Sequence, residues 1–178
     1  MGRKMILDLC AGSGAWSRPY QKDYEVRKID LPEDIRLIEH PGNIYGILAA
    51  PPCTVFANSG ARWIRTEEEM IQGLSIVDAC LRLVAICKPV FWALENPIGK
   101  LRKFLGDPTL IFDPCDYGDP YTKKTLLWGE FNIPRKNTVP AVEGSKMHVK
   151  YGGKSDRTKR ERSKTPPGFA KAFHKANR

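Results

Sequence analysis

Lys4-Met5-Ile6-Leu7-Asp8-Leu9-Cys10-Ala11-Gly12-Ser13-Gly14 is the stretch that decides the fold. Lys4–Leu9 is a short apolar run with an acid, Asp8, near its carboxyl end, and it passes straight into a Gly-rich turn. Trp16–Tyr20 follows as a candidate helix. Strand, Gly-rich turn and helix together open an α/β nucleotide-binding unit. Glu25-Val26-Arg27-Lys28-Ile29-Asp30 repeats the pattern of a strand ending in an acid, and Tyr45–Ala50 is nearly all apolar, as a strand buried on both faces should be. Pro51-Pro52 stops it. From Glu67 to Lys88, apolar residues at Met70, Ile71, Leu74, Val77, Leu81, Val84 and Ala85 follow a helical period. Phe91–Leu94 is another short strand, closed by Glu95-Asn96-Pro97, and Thr125–Trp128 is a further one. The alternation predicts an α/β fold with a doubly wound, mostly parallel, Rossmann-like sheet. Ligands on such sheets bind beyond the carboxyl ends of the strands, where Asp8, Asp30, Cys53 and Glu95 all fall.

Composition is consistent with one domain. The chain has 178 residues, 42% of them hydrophobic and 28% charged, enough to bury a core. No apolar run approaches the roughly 20 residues that span a bilayer, and Asp8 interrupts the short apolar stretch behind the basic N-terminus. A soluble, non-exported protein without a membrane partner is expected. Net charge is +9, from 29 Lys and Arg against 20 Asp and Glu. The excess concentrates beyond Lys146, where Asp156 and Glu161 are the only acids. A patch of that kind suits a polyanion, with nucleic acid first, although a solvated tail has the same composition. The five cysteines are odd in number and form no Cys-x-x-Cys pair, so reduced thiols and no metal are expected.

Three features could carry chemistry. Gly12-x-Gly14 lets backbone approach a ligand closely, as many tight turns do. Asp30 lies 16 residues past Gly14 (30 minus 14), near the roughly 20-residue offset at which an acid holds a ribose. The third glycine of the dinucleotide fingerprint is replaced by Ser17, so a nucleoside ligand without a pyrophosphate fits better than NAD. Cys53 follows two prolines that fix the backbone presenting it. A free cysteine is most often a buried small hydrophobe, and Cys10, Cys80, Cys87 and Cys115 suit that description. Cys53, at a strand end before a polar loop, suits a nucleophile, which requires a lowered thiol pKa. Glu95 closes an apolar strand, where a carboxylate is costly unless it reaches solvent, finds a partner or does chemistry.

Taken together, these residues resemble a DNA (cytosine-5)-methyltransferase of the compact type found in phages. Asp8-Leu9-Cys10-Ala11-Gly12-Ser13-Gly14 is similar to the family's Asp-Leu-Phe-Ala-Gly-x-Gly motif, which holds the methionine part of S-adenosylmethionine. Asp30 matches the ribose-binding acid, and Asp34-Ile35-Arg36 resembles the Asp-Ile segment at adenine. Ala50-Pro51-Pro52-Cys53-Thr54-Val55-Phe56 is similar to the Pro-Cys nucleophile motif, and Leu94-Glu95-Asn96-Pro97 to the Glu-Asn-Val motif. Tyr121-Thr122-Lys123-Lys124-Thr125 falls where the family carries Gln-x-Arg-x-Arg. The resemblance covers most of residues 5–130. It implies the class I S-adenosylmethionine-dependent methyltransferase fold and places the cofactor against Asp8, Leu9, Gly12, Gly14, Trp16, Asp30, Asp34, Ile35 and Pro51. Cys53 and Glu95 would be catalytic, acting on a cytosine flipped out of DNA. Asn58, Arg62 and Arg65 in the loop after the nucleophile, with Lys123, Lys124, Arg157, Arg160 and Arg162, would meet nucleic acid. A cytoplasmic setting, in a bacterium or a phage-infected host, goes with it.

The sequence departs from that pattern in several places. Ala57 stands where the family has Ser, lysines replace the paired arginines, and Asp30 and Asp34 are only four apart. Residues 130–162 leave about thirty positions where larger members insert a target-recognition domain, and below about 40 residues a segment rarely folds alone. The layout expected is a catalytic domain over 1–134, a basic loop or linker over 135–162, and a C-terminal helix over 163–178. Thr165 would cap that helix, Pro166 would open it, and Phe169 and Phe173 would dock it. Target reading would then come from loops, a partner protein or dimerisation. Two other functions stay open: a DNA-binding or cofactor-sensing protein without catalysis, and an RNA cytosine methyltransferase.

Overall fold

Apolar runs with side chains buried on both faces make the centre of the sheet. In the computed structural model, which describes residues 3–58, 64–151 and 155–178, six strands pair into one sheet. They are β1 (Met5–Leu9), β2 (Glu25–Ile29), β3 (Ile44–Ala49), β4 (Phe91–Pro97), β5 (Leu110–Phe112) and β6 (Thr125–Glu130), in the order β2-β1-β3-β4-β6-β5. The first three pairings are parallel, and β6 runs antiparallel to both β4 and β5. The chain therefore winds outward in both directions from β1, the doubly wound arrangement that places a ligand crevice at the carboxyl ends.

Period-two alternation splits the core into two layers. On one face Leu7, Leu9, Ile47, Ala49 and Leu94 meet Val77, Cys80 and Leu83 of α1 (Glu67–Cys87). On the other, Ile6, Leu48, Phe91, Ala93 and Leu127 meet Trp16, Tyr20, Phe169 and Phe173. Helix α1 starts in a capping box, Thr66 with Glu69, and carries Glu67 and Glu68 in the first turn, where carboxylates favour the helix dipole. It stops at Lys88, whose φ of 45° is left-handed. By length and composition this helix would suffice to cross a membrane; here it lays one face on the sheet.

Shorter helices follow: α2 (Arg102–Leu105), α3 (Lys146–Val149), α4 (Asp156–Ser163) and α5 (Pro167–Ala176). Phe169 of α5 stacks on Phe112 with centroids 4.0 Å apart, and Asn177 bonds back to Asn132, so the C-terminus is built into the domain. Residues 137–144 run back along the 115–122 loop through the Asn137–Asp116, Val139–Cys115 and Glu143–Pro120 backbone bonds.

Four details differ from expectation. The segment after the Gly-rich turn is a 3-10 turn, Arg18–Lys22, rather than an α-helix from Trp16; Pro19 lies in its first turn. Strand β4 continues through Glu95 and Asn96 to Pro97, because β6 supplies partners as far as Thr125. Strand β5 is too short for its own periodicity to announce it. Helix α5 opens at Pro167 with Pro166 as its cap residue, and no side-chain cap bond is made.

Candidate active site

At the end of β1 the chain turns through Cys10, Gly12 and Gly14, whose φ values of 55°, 51° and 64° are all left-handed. Ala11 N–H donates to Ile29 at 3.1 Å and Gly14 N–H to Ala11 at 2.8 Å, which closes the turn against β2. A Cβ on Gly12 would meet nothing within 4 Å, so that part of the turn is open to a ligand. Asp8 lies beneath, only 1% exposed, and accepts from Ser17 Oγ at 2.5 Å. Burial pushes its carboxyl up to about 7, against the pull of the Ser17 bond and the Lys28 charge. Asp8 thus braces the turn from below.

Leu9 is buried and passes its carbonyl to Ala50 N–H at 3.0 Å. Trp16 is buried against Phe173 and Phe169, at 5.4 and 6.1 Å between centroids. Asp30 stands exposed just beyond β2. Asp34 caps the Ile35–Leu37 turn, accepting from Arg36 N–H at 3.0 Å and from its guanidinium, which holds the carboxyl below its usual range. Ile35 is buried, as is Pro51. The open Gly12 backbone and the exposed Asp30 fit a nucleoside with a small polar extension. Among the described residues no group of three His, Cys, Asp or Glu stands together as a metal site.

Beyond β3, Pro51 and Pro52 lead to Cys53, whose carbonyl accepts from Phe56 and Ala57 N–H in a tight turn. Phe56, fully buried, anchors that turn in the core. Three bonds tie the loop to β4 and its extension: Asn96 Nδ2 to the Pro51 carbonyl at 3.0 Å, Asn58 N–H to Ile98 at 3.1 Å, and Lys100 N–H to Phe56 at 2.7 Å. A Cβ on Gly99 would fall on the Phe56 carbonyl, so only glycine permits this approach. Cys53 and Glu95 are brought together as a result, near enough for their charges to interact. Burial raises the Cys53 thiol pKa, Glu95 raises it further, and Lys123 and Arg162 oppose both. That direction is opposite to the lowered thiol pKa that a nucleophile requires. Burial likewise raises the Glu95 carboxyl, with Lys123 opposing.

The basic residues divide into engaged and exposed. Arg65 donates to the Thr54 carbonyl at 3.0 Å and stands 3.6 Å from Glu69. Lys123 is half-buried, with Nζ 3.4 Å from the Lys164 carbonyl, which links β6 to the connection between α4 and α5. Lys124 is exposed, 4.0 Å from Asp113. Asn58, Arg157 and Arg160 are exposed, and Arg162 is half-buried on the Cys53 side. Arg62 lies outside the described residues. Lys28, paired in register with Asp8, and Asn96, bonded to the Pro51 carbonyl, also stand at this end of the sheet, and their placement follows from strand register.

A thiol, a carboxyl and a cation gathered at neighbouring strand ends beside a Gly-rich turn can add a nucleophile to an electron-poor ring and hold a proton on it. The same fold occurs in a candidate DNA modification methyltransferase encoded within an E. coli prophage, with a TM-score of 0.55 and 17% identity over 77% of this chain. The match covers 52% of that protein, so this chain spans about half its length. No protein-family model and no curated protein matches the chain.

Proposed function

We propose that the protein transfers a methyl group from S-adenosylmethionine to carbon 5 of cytosine in DNA, with Cys53 as nucleophile and Glu95 as proton donor. The observation that carries this reading is the set of three bonds fastening the Cys53 loop to the strand of Glu95. The prophage protein of like fold, described as a DNA modification enzyme, supports DNA as the substrate class.

Carbon 5 of cytosine is a weak nucleophile and needs covalent activation. Cys53 gives its thiol proton to solvent and forms a bond to carbon 6, while Glu95 gives its proton to N3, so that the ring becomes an enamine. Burial raises the Glu95 carboxyl, which favours its protonated form relative to that of an exposed glutamate. S-adenosylmethionine, when bound, would supply an electrophilic methyl to carbon 5, with S-adenosylhomocysteine as the leaving thioether. A base removes the carbon 5 proton, the bond from carbon 6 to sulfur breaks, and Glu95 recovers its proton from N3. Gly12, Gly14 and Asp30 would hold the cofactor, the acid on its ribose. Lys123, beside both catalytic groups, favours the thiolate. Arg157 and Arg160, exposed on α4, would meet phosphate.

Incubation with labelled S-adenosylmethionine and duplex DNA, followed by digestion to nucleosides, tests the reading. Label in 5-methylcytosine is the expected result. Label in another base, or label in RNA alone, would replace it.

A further inference from the structure

Lys28 lays a charged side chain over Gly14 of the Gly-rich turn. It pairs in register with Asp8, so the two side chains leave adjacent strands on the same face of the sheet. Its aliphatic stem then folds over Gly14: a Cβ there would stand 2.5 Å from Lys28 Nζ and 2.6 Å from its Cε. Gly14 is thus glycine for two reasons, its φ of 64° and the lysine above it. Asp8 and Asp30 are close enough to influence one another, and Lys28 acts on Asp8. Among the described residues, however, no carboxylate lies within the 4.0 Å of an ion pair with the Lys28 ammonium. Asp8 turns its oxygen to Ser17 instead.

An ammonium held over a backbone turn, without a carboxylate of its own protein, is suited to receive one from a ligand. We propose that Lys28 binds the α-carboxylate of the cofactor's amino-acid end and selects cofactors that carry it. This rests on the S-adenosylmethionine reading above. The aliphatic stem fixes the height of the ammonium above the turn, while the open backbone at Gly12 leaves room beside it for the ligand chain. Burial raises the Asp8 carboxyl to about 7, so near neutral pH it offsets the charge of Lys28 less than an exposed aspartate would.

Titration calorimetry on the wild type and on Lys28→Met, each with S-adenosylmethionine and with its decarboxylated analogue, isolates the contact. The two ligands share the nucleoside, the sulfonium and the amine. The wild type should prefer the intact cofactor by about ten- to a hundredfold, the range of a charge-assisted hydrogen bond. Lys28→Met should remove that preference, leave the affinity for the decarboxylated analogue within twofold, and keep the wild-type unfolding midpoint. Lys28→Arg should retain most of the preference. Equal weakening of both ligands by Lys28→Met, or weakening of neither, overturns the assignment of Lys28 while leaving the cofactor reading intact. Failure of the wild type to bind either ligand overturns both.

Discussion

Asn96 Nδ2 donates to the Pro51 carbonyl at 3.0 Å, and this bond carries the pairing of β3 and β4 past the point where backbone can sustain it. Ala49 pairs with Leu94, so Pro51 and Asn96, each two residues on, are next in register. Pro51 can give no N–H to the ladder, and its carbonyl takes the side-chain amide of Asn96 as donor. Asn96 is fully buried, and its Oδ1 has no partner among the described residues. An unpaired buried acceptor is costly, which makes the bond on the other side of the amide informative.

Asn96→Ala should leave the Pro51 carbonyl unpaired and lower stability by about 1–3 kcal/mol in urea denaturation. Turnover should fall by more than tenfold, because Cys53 loses its fixed distance from Glu95. Cofactor affinity should change less than twofold. Asn96→Asp sets oxygen against oxygen and should be worse on both counts.

The Cys53 thiol responds to its neighbours with predictable signs. At the alkaline pH where the thiol titrates, Glu95→Gln removes a negative charge and should lower the thiol pKa, whereas Lys123→Met removes a positive one and should raise it. Alkylation of Cys53 by iodoacetamide across a pH series, with the peptide identified by mass spectrometry, reads both midpoints. Burial is the largest cause and persists in both variants, so each midpoint should stay above that of a free cysteine. Coincident midpoints in all three proteins would separate Cys53 from Glu95 and Lys123.

Asp8 should make stability fall as pH rises. Its folded pKa, about 7, lies above the ordinary value of 3.8, so the folded state holds more protons between those values. Stability due to Asp8 is therefore full below about pH 4 and lost up to about pH 7. Asp8→Asn keeps an acceptor for Ser17 and cannot ionise. It should gain on the wild type by on the order of 2 kcal/mol between pH 5 and pH 8, measured by denaturant titration at each pH. A constant difference would show that Asp8 ionises freely in the folded protein.

Phe169 couples the C-terminal helix to the sheet. It is fully buried, stacks on Phe112 and touches Tyr117 and Phe173. Phe169→Ala should cost about 3–5 kcal/mol and lower the thermal midpoint. Phe104→Ala, on a half-exposed aromatic, should cost much less. Similar losses for the two would mean that α5 is not part of the cooperative core.

The parts of the fold written as runs of apolar residues were legible in the sequence: β1, β3 and α1 declare themselves by burial on both faces or by helical period. Asp30 and Cys53 were legible as candidates because strand ends are visible in composition. Strand β5 was not, since three residues carry no period and its partner β6 is antiparallel. The same antiparallel partner lengthens β4 through Glu95 and Asn96. The contacts of Lys28 and Asn96 were hidden for a related reason, although Asn96 was visible within the Glu95-Asn96-Pro97 motif. What makes each matter is the residue standing beside it on another strand, Asp8 in one case and Pro51 in the other, and register is a tertiary property. The raised thiol pKa of Cys53 likewise depends on burial and on Glu95, 42 residues away (95 minus 53), with Lys123 opposing.

The central claim, covalent attack by Cys53 assisted by Glu95, is tested most directly by trapping on DNA containing 5-fluorocytosine in the presence of S-adenosylmethionine. Fluorine at carbon 5 cannot leave as the proton does, so the adduct should persist and appear as a denaturation-resistant protein–DNA band. Mass spectrometry should place it on Cys53. Cys53→Ser should abolish it, Cys80→Ser and Cys87→Ser should not, and Glu95→Gln should slow its formation by about 10²- to 10⁴-fold. A protein that binds the cofactor and DNA yet forms no adduct, or forms one that survives Cys53→Ser, would contradict the account.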